Sequence, residues 1–283
     1  MQYRMLSNGV ELPMIGYGTF QIKDAVQCER CVSEALEIGY RLFDTAASYE
    51  NEAAVGAALR SSGLPREAWF VTTKLWVQDA GYDGTLRAFD GSLKQLGLDY
   101  IDLYLIHQPF GDYYGAWRAM ERLYREGAVR AIGVSNFTPE RLVDLCMNQE
   151  IEPMVNQIEI HPFFQQNTAL RVVEDYGVVP QAWGPFSEAQ KDIFHHKTLA
   201  KIAGRHGKTT AQVILRWHLQ RNIPTIPKTV QPERMAENLG VFDFALTERE
   251  MESIAGMDIG HSEIIDHRCF CTARQLNSVK IHE

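Results

Sequence analysis

Short apolar runs alternate along the chain with stretches whose apolar residues recur every three or four positions. The runs fall at 14–18, 41–43, 69–74, 101–106, 129–134, 154–157, 178–182 and 223–226. Each is short and mostly apolar on both faces, as a strand covered on both sides of a parallel sheet must be. The intervening stretches read as amphipathic helices. Cys28, Cys31, Val32, Ala35 and Leu36 share one helical face, and Gly39 stops that helix. Leu86, Phe89, Leu93 and Leu96 mark a later helix ended by Gly97, and Trp117, Met120, Leu123 and Tyr124 another ended by Gly127. Further helices are predicted near 51–60, from Thr138-Pro139-Glu140 onward, at 168–176, 199–205 and 210–220, and from Pro232. Thr247 to Glu250 forms a capping box for a last helix ending near Gly256. Asn8-Gly9 between two short apolar runs predicts a small hairpin, cut off by Pro13. The segment 184–197 reads as a polar loop, and 261–283 shows no period.

Eight strand-then-helix units with no linker predict an α/β fold in one domain, residues 1–283. The architecture is a (β/α)8 TIM barrel with an N-terminal β-hairpin and an extra C-terminal helix and tail. A doubly wound open sheet is the alternative. It lacks support, because Gly16-Tyr17-Gly18-Thr19 is an incomplete version of the glycine fingerprint that such a sheet carries after its first strand.

Composition changes this picture only at the edges. A net charge of −8 argues against a nucleic-acid or anionic-membrane surface. No apolar stretch has transmembrane length and the N-terminus has no apolar signal core. Five cysteines in a chain this long do not form a disulfide framework, which points to a reducing cytoplasmic setting. No dimerisation element is evident, so a monomer is expected.

Candidate chemistry gathers at the strand ends. Asp44 follows the second strand, Lys74 closes the third, His107 follows the fourth, and Tyr49 lies five residues beyond Asp44. Singly these read as a turn cap, a snorkelling lysine and a structural histidine. In a barrel all strand C-termini open on one face, so the four converge. A buried Lys74 needs a counter-ion, which Asp44 supplies. A charged Lys74 beside Tyr49 is expected to lower the phenol's pKa from about 10, tuning it to donate a proton. Reduction of a carbonyl needs such a donor, with His107 orienting the substrate. The hydride must come from a cofactor. Ser135, Asn136 and Gln157 end the fifth and sixth strands and could bond a carboxamide; Trp183 could stack on a ring or simply pack at the rim. Lys228 and Arg234 flank a helix start by the eighth strand, where a phosphate would bind, and two cations favour NADP over NAD.

The motifs GYRLFDTAASYENE, VTTKLW, LIHQP, AIGVSNF, VNQIEIHPF and IPKTVQPERMAEN together resemble the aldo-keto reductase superfamily, from the Asn8-Gly9 hairpin to about Asp258. The resemblance implies a (β/α)8 barrel with the hairpin plugging its floor and a catalytic tetrad of Asp44, Tyr49, Lys74 and His107. It implies an NADP(H) site made of Thr19, Asp44, Ser135, Asn136, Gln157, Trp183, Phe186, Lys228, Thr229, Val230, Arg234, Glu237 and Asn238. Trp183-Gly184-Pro185 and VTTKLW are similar to the prokaryotic branch that includes 2,5-diketo-D-gluconate and methylglyoxal reductases. A small carbonyl substrate would then meet Phe20, Trp76, His107 and Phe110. The short segment 108–114 suggests an open mouth. Residues 269–275 depart from that branch's tail.

Two other readings stay open from the residues. Lys74 could form a Schiff base in a lyase, or the barrel could bind cofactor without catalysis. Cys28 and Cys31 form a C-x-x-C pair on an apolar stripe, which favours core packing over redox chemistry. Cys269 and Cys271 look exposed and oxidisable. No metal-ligand pattern is present.

Overall fold

The computed structural model describes residues 2–283. Two short antiparallel strands, β1 (Tyr3–Met5) and β2 (Glu11–Pro13), form the hairpin, with Gly9 at φ 85° in its turn. Seven parallel strands follow in unbroken sequence order: β3 (Tyr17–Gly18), β4 (Leu42–Asp44), β5 (Phe70–Leu75), β6 (Ile101–Ile106), β7 (Val129–Ser135), β8 (Val155–Glu159) and β9 (Val179–Trp183). All residues of β4, β5, β6 and β8 are buried, which is why these runs read as continuous rather than alternating.

The eighth strand contributes the seam rather than a ladder. Pro224 and Pro227 remove two backbone donors from this run. What remains is Thr225, bridged in parallel to Ile15 on one side and to Ala182 on the other. Gly16 N donates to Thr225 O at 2.9 Å, and Ala182 N donates to Pro224 O at 2.8 Å. These contacts join the first strand to the seventh and close the (β/α)8 barrel.

Helices α1 (Ala25–Ile38), α2 (Glu52–Ser61), α3 (Tyr82–Leu96), α4 (Tyr113–Arg125), α5 (Pro139–Asn148) and α6 (Asn167–Asp175) alternate with the strands. Then come α7 (Lys197–His206), α8 (Thr210–Gln220), α9 (Pro232–Leu239), α10 (Glu248–Ala255) and α11 (Phe270–Ser278). Helix α1 starts on Asp24, whose side chain accepts from Gln27 N, and ends on Gly39 at φ 119°. Its Cys28 and Cys31 are fully buried, as the apolar stripe required. The Thr247 capping box on α10 forms with both of its hydrogen bonds. Gly56 sits where α2 meets the end of α3; a Cβ there would lie 2.0 Å from Leu96 O.

Two expectations fail. The segment 184–197 is no featureless loop: Ser187–His195 forms 3-10 turns in which Ser187, Glu188, Ala189, Lys191 and Asp192 all take positive φ. The tail, which has no period in sequence, contains α11. None of that helix's residues is buried, so it has no apolar stripe to read.

Candidate active site

The C-terminal ends of β4, β5 and β6 bring Asp44, Lys74 and His107 together, and a 3-10 turn, Ala47–Tyr49, adds the phenol. Lys74 is fully buried, and its Nζ donates to Asp44 Oδ1 at 2.5 Å, to Thr45 O at 2.8 Å and to Tyr49 OH at 3.4 Å. The other carboxylate oxygen, Asp44 Oδ2, accepts from Gln157 Nε2 at 2.7 Å. Thr19 fixes the backbone beneath, its amide and hydroxyl both donating to Asp44 O. Asn51 locks the turn, donating to Thr19 O and Ile22 O while accepting from Thr45 Oγ1.

Burial drives the Asp44 carboxyl up and the Lys74 amine down, each opposed by the other's charge. Tyr49 corrects one sequence-based expectation. Its phenol is pushed well above its usual value, by burial and then by the Asp44 carboxylate, not lowered. The Lys74 charge is already shared with Asp44 and Thr45 O at shorter range. Burial, the Lys74 charge and His267 hold His107 well below the ordinary histidine range, so its imidazole is neutral. Tyr49 and Trp76 both meet the His107 ring edge-on, with centroids 5.5 and 5.3 Å away, and Ser48 Oγ lies 3.2 Å from His107 Nδ1.

A cavity of about 720 Å³ opens over this cluster. It is lined by Asp44, Tyr49, His107, Phe20 and Trp76, by Ser135, Asn136, Gln157, Trp183 and Phe186, and by Lys228 and Arg234. The last two flank the N-terminus of α9, whose cap residue Gln231 makes no side-chain bond to the helix. Besides Lys74, which lies beneath the cavity, five expected cofactor residues lie outside the lining. Thr19 works from below; Thr229 O accepts from the Tyr17 hydroxyl; Val230 O accepts from Cys31 Sγ; Glu237 O accepts from Gln212; Asn238 is buried. Phe110 is also absent from the cavity wall; it is buried with the Arg141 guanidinium 5.5 Å from its ring.

The short segment 108–114 leaves the mouth to another element. The tail crosses it. Trp76 Nε1 donates to Val279 O at 3.0 Å, Ile281 N donates to Gln78 Oε1, and His282 Nε2 lies 2.9 Å from Asp79 Oδ2. Ile264, Ile265, His267, Leu276 and Val279 therefore wall the cavity, although nothing in the tail's pattern marked them. Ser48 and Gln108 were also missed, although each adjoins a residue that was found.

The Aldo/keto reductase family model matches residues 14–259. The chain belongs to the aldo/keto reductase family. It is similar to the glyoxal reductase of Bacillus subtilis, with 44% identity over 254 residues, 89% of this chain and 91% of the relative. Among solved structures it resembles MGS-M4, an aldo-keto reductase from a deep-sea metagenome library. That match has a TM-score of 0.92 and 45% identity, covering 94% of this chain and 98% of the other. The Bombyx mori aldo-keto reductase solved in complex with NADP matches at a TM-score of 0.87 and 33% identity, covering 94% and 96%.

Proposed function

We propose that this protein reduces small aldehydes and ketones to alcohols with NADPH, dicarbonyls and keto-sugars among them, and that Tyr49 is the proton donor. The observation carrying this is that Tyr49, His107, Lys228 and Arg234 share one cavity with the Asp44–Lys74 pair beneath it. NADPH, when bound, supplies the hydride. The donor set suits it. Gln157 Oε1 takes no hydrogen bond among the described residues and is an acceptor for a carboxamide. Lys228 and Arg234 at an uncapped helix start suit phosphates, the 2′-phosphate included.

The chain's own residues do the rest. Neutral His107 donates to the substrate oxygen and aims it at Tyr49. The phenol, kept in its acid form, passes its proton to the developing alkoxide. Lys74, held charged by Asp44, then stands beside the phenolate. Residues 1–283 act as one domain, a cytoplasmic monomer. No described helix is long and apolar enough to cross a membrane.

A Schiff-base lyase is disfavoured. Lys74 has no solvent-exposed surface, and its three N–H bonds meet Asp44, Thr45 and Tyr49. The test is NADPH oxidation across aldehydes, dicarbonyls and keto-sugars. A protein that binds NADPH and turns over none of them acts only as a binding module. Arg234→Ala should weaken NADPH far more than NADH; equal losses would remove the 2′-phosphate assignment.

A further inference from the structure

Gln108 follows His107 in the chain, lines the same cavity and is 7% exposed. Its amide orientation is fixed by a chain of partners. Trp183 Nε1–H needs an acceptor and finds Asn136 Oδ1 at 2.8 Å. His107 O needs a donor and receives Asn136 Nδ2–H at 3.0 Å. Both contacts set Asn136 the same way round, with Nδ2 facing Gln108 Oε1 at 3.4 Å. Reversing Gln108 would set one NH2 group against another, so Oε1 stays on that side.

The same Oε1 lies 3.0 Å from His267 Nε2. Burial holds His267 neutral, with its pKa down to about 4. One ring nitrogen therefore carries hydrogen, and the Oε1 acceptor selects Nε2. Asn136 Nδ2 also lies 3.1 Å from Ser135 Oγ, so the firm donor to Gln108 Oε1 is His267. Gln108 Nε2 has no partner among the described residues. Gln108 lines the cavity, so this donor is free to meet an acceptor there.

We infer that Gln108 Nε2 binds a second oxygen of the substrate, adjacent to the carbonyl that His107 orients, and that His267 of the tail is the positioning residue for that amide. The inference rests on the carbonyl-reductase reading of the site and sharpens it. Preferred substrates carry vicinal oxygens: α-dicarbonyls and α-hydroxy ketones rather than simple ketones. His107 and Gln108 are consecutive in the chain and line the same cavity. Phe20, Leu276 and Val279 add apolar wall beside them.

The test compares kcat/KM for butane-2,3-dione and butan-2-one, each with NADPH, in wild type and variants. Gln108→Leu should lower the dione-to-butanone ratio about tenfold, the value of one neutral hydrogen bond. The change should fall mainly in KM. His267→Phe should lower the ratio severalfold, and His267→Gln, which keeps an N–H donor, should hold it near wild type. These tail variants keep the test decisive if Gln108→Leu folds poorly, which thermal melting would reveal. A ratio unmoved by both Gln108→Leu and His267→Phe overturns the inference and leaves the reductase reading standing. A wild type that binds NADPH and reduces neither compound overturns both.

Discussion

Lys74 Nζ and Asp44 Oδ1 are 2.5 Å apart, in side chains that are 0% and 2% exposed. Such a pair is held by geometry rather than by excess energy. Two desolvated charges roughly offset their attraction, but removing one strands the other. Lys74→Met should destabilise the protein by about 3–5 kcal/mol in urea unfolding. Replacing both partners, Asp44→Leu with Lys74→Met, should recover much of that stability and none of the activity. Recovery of activity in the double variant would mean the pair serves folding alone.

The pH dependence follows from two opposite shifts. Tyr49 is pushed up by burial and the Asp44 carboxylate, so its acid form persists past the ordinary phenol value of about 10. His107 is held down, chiefly by burial, so it stays neutral well below 6.5. Reduction should therefore keep a level kcat/KM for the carbonyl across roughly pH 6.5 to 9. An alkaline limb near pH 7 to 8 in stopped-flow or steady-state profiles would show a lowered phenol instead.

The tail is fastened by groups that titrate. His282 is raised above 6.5, first by its hydrogen bond to Asp79. A raised histidine contributes in full below its unfolded pKa, and that contribution is lost as pH rises through the folded value. The His282 side chain is half exposed, so the effect is local. Amide protection factors in 270–283, corrected for the intrinsic exchange rate at each pH, should be higher near pH 6 than near pH 9. Asp79→Asn should remove most of that difference; an unchanged difference would place the tail's hold at Trp76 and Gln78.

Ser48 Oγ beside His107 Nδ1 gives a fourth outcome. As donor it makes Nδ1 the acceptor and puts the imidazole hydrogen on Nε2. Ser48→Ala should lower kcat by a few-fold with cofactor affinity unchanged, and Ser48→Thr should retain the wild-type rate. Equal rates in all three would leave the tautomer to other contacts.

Much of this architecture could be read from the chain because the barrel is local in its logic. Each buried strand is an apolar run, and each helix carries its own stripe and stop, as Gly39 and the Thr247 capping box illustrate. The convergence of Asp44, Tyr49, Lys74 and His107 was readable because strand ends in a barrel must meet. The eighth strand was harder, since Pro224 and Pro227 leave only the bridges at Thr225. The tail's path across the site could not be read from periodicity. Its hold is a few long-range bonds, such as Trp76 to Val279 across 203 residues, made largely to backbone atoms that carry no residue signature. The Tyr49 shift was misjudged because sequence places Lys74 nearby without revealing that Asp44 and Thr45 O engage its charge at shorter range than the phenol does.

The central claim is that Tyr49 delivers the proton. Tyr49→Phe removes one hydroxyl from a half-buried ring and leaves Asp44, Lys74 and the cationic helix start in place. With NADPH binding matched to wild type by fluorescence titration, single-turnover reduction of butane-2,3-dione should slow by about 10²–10⁴-fold. A Tyr49→Phe protein that reduces the dione within a few-fold of the wild-type rate would contradict the account.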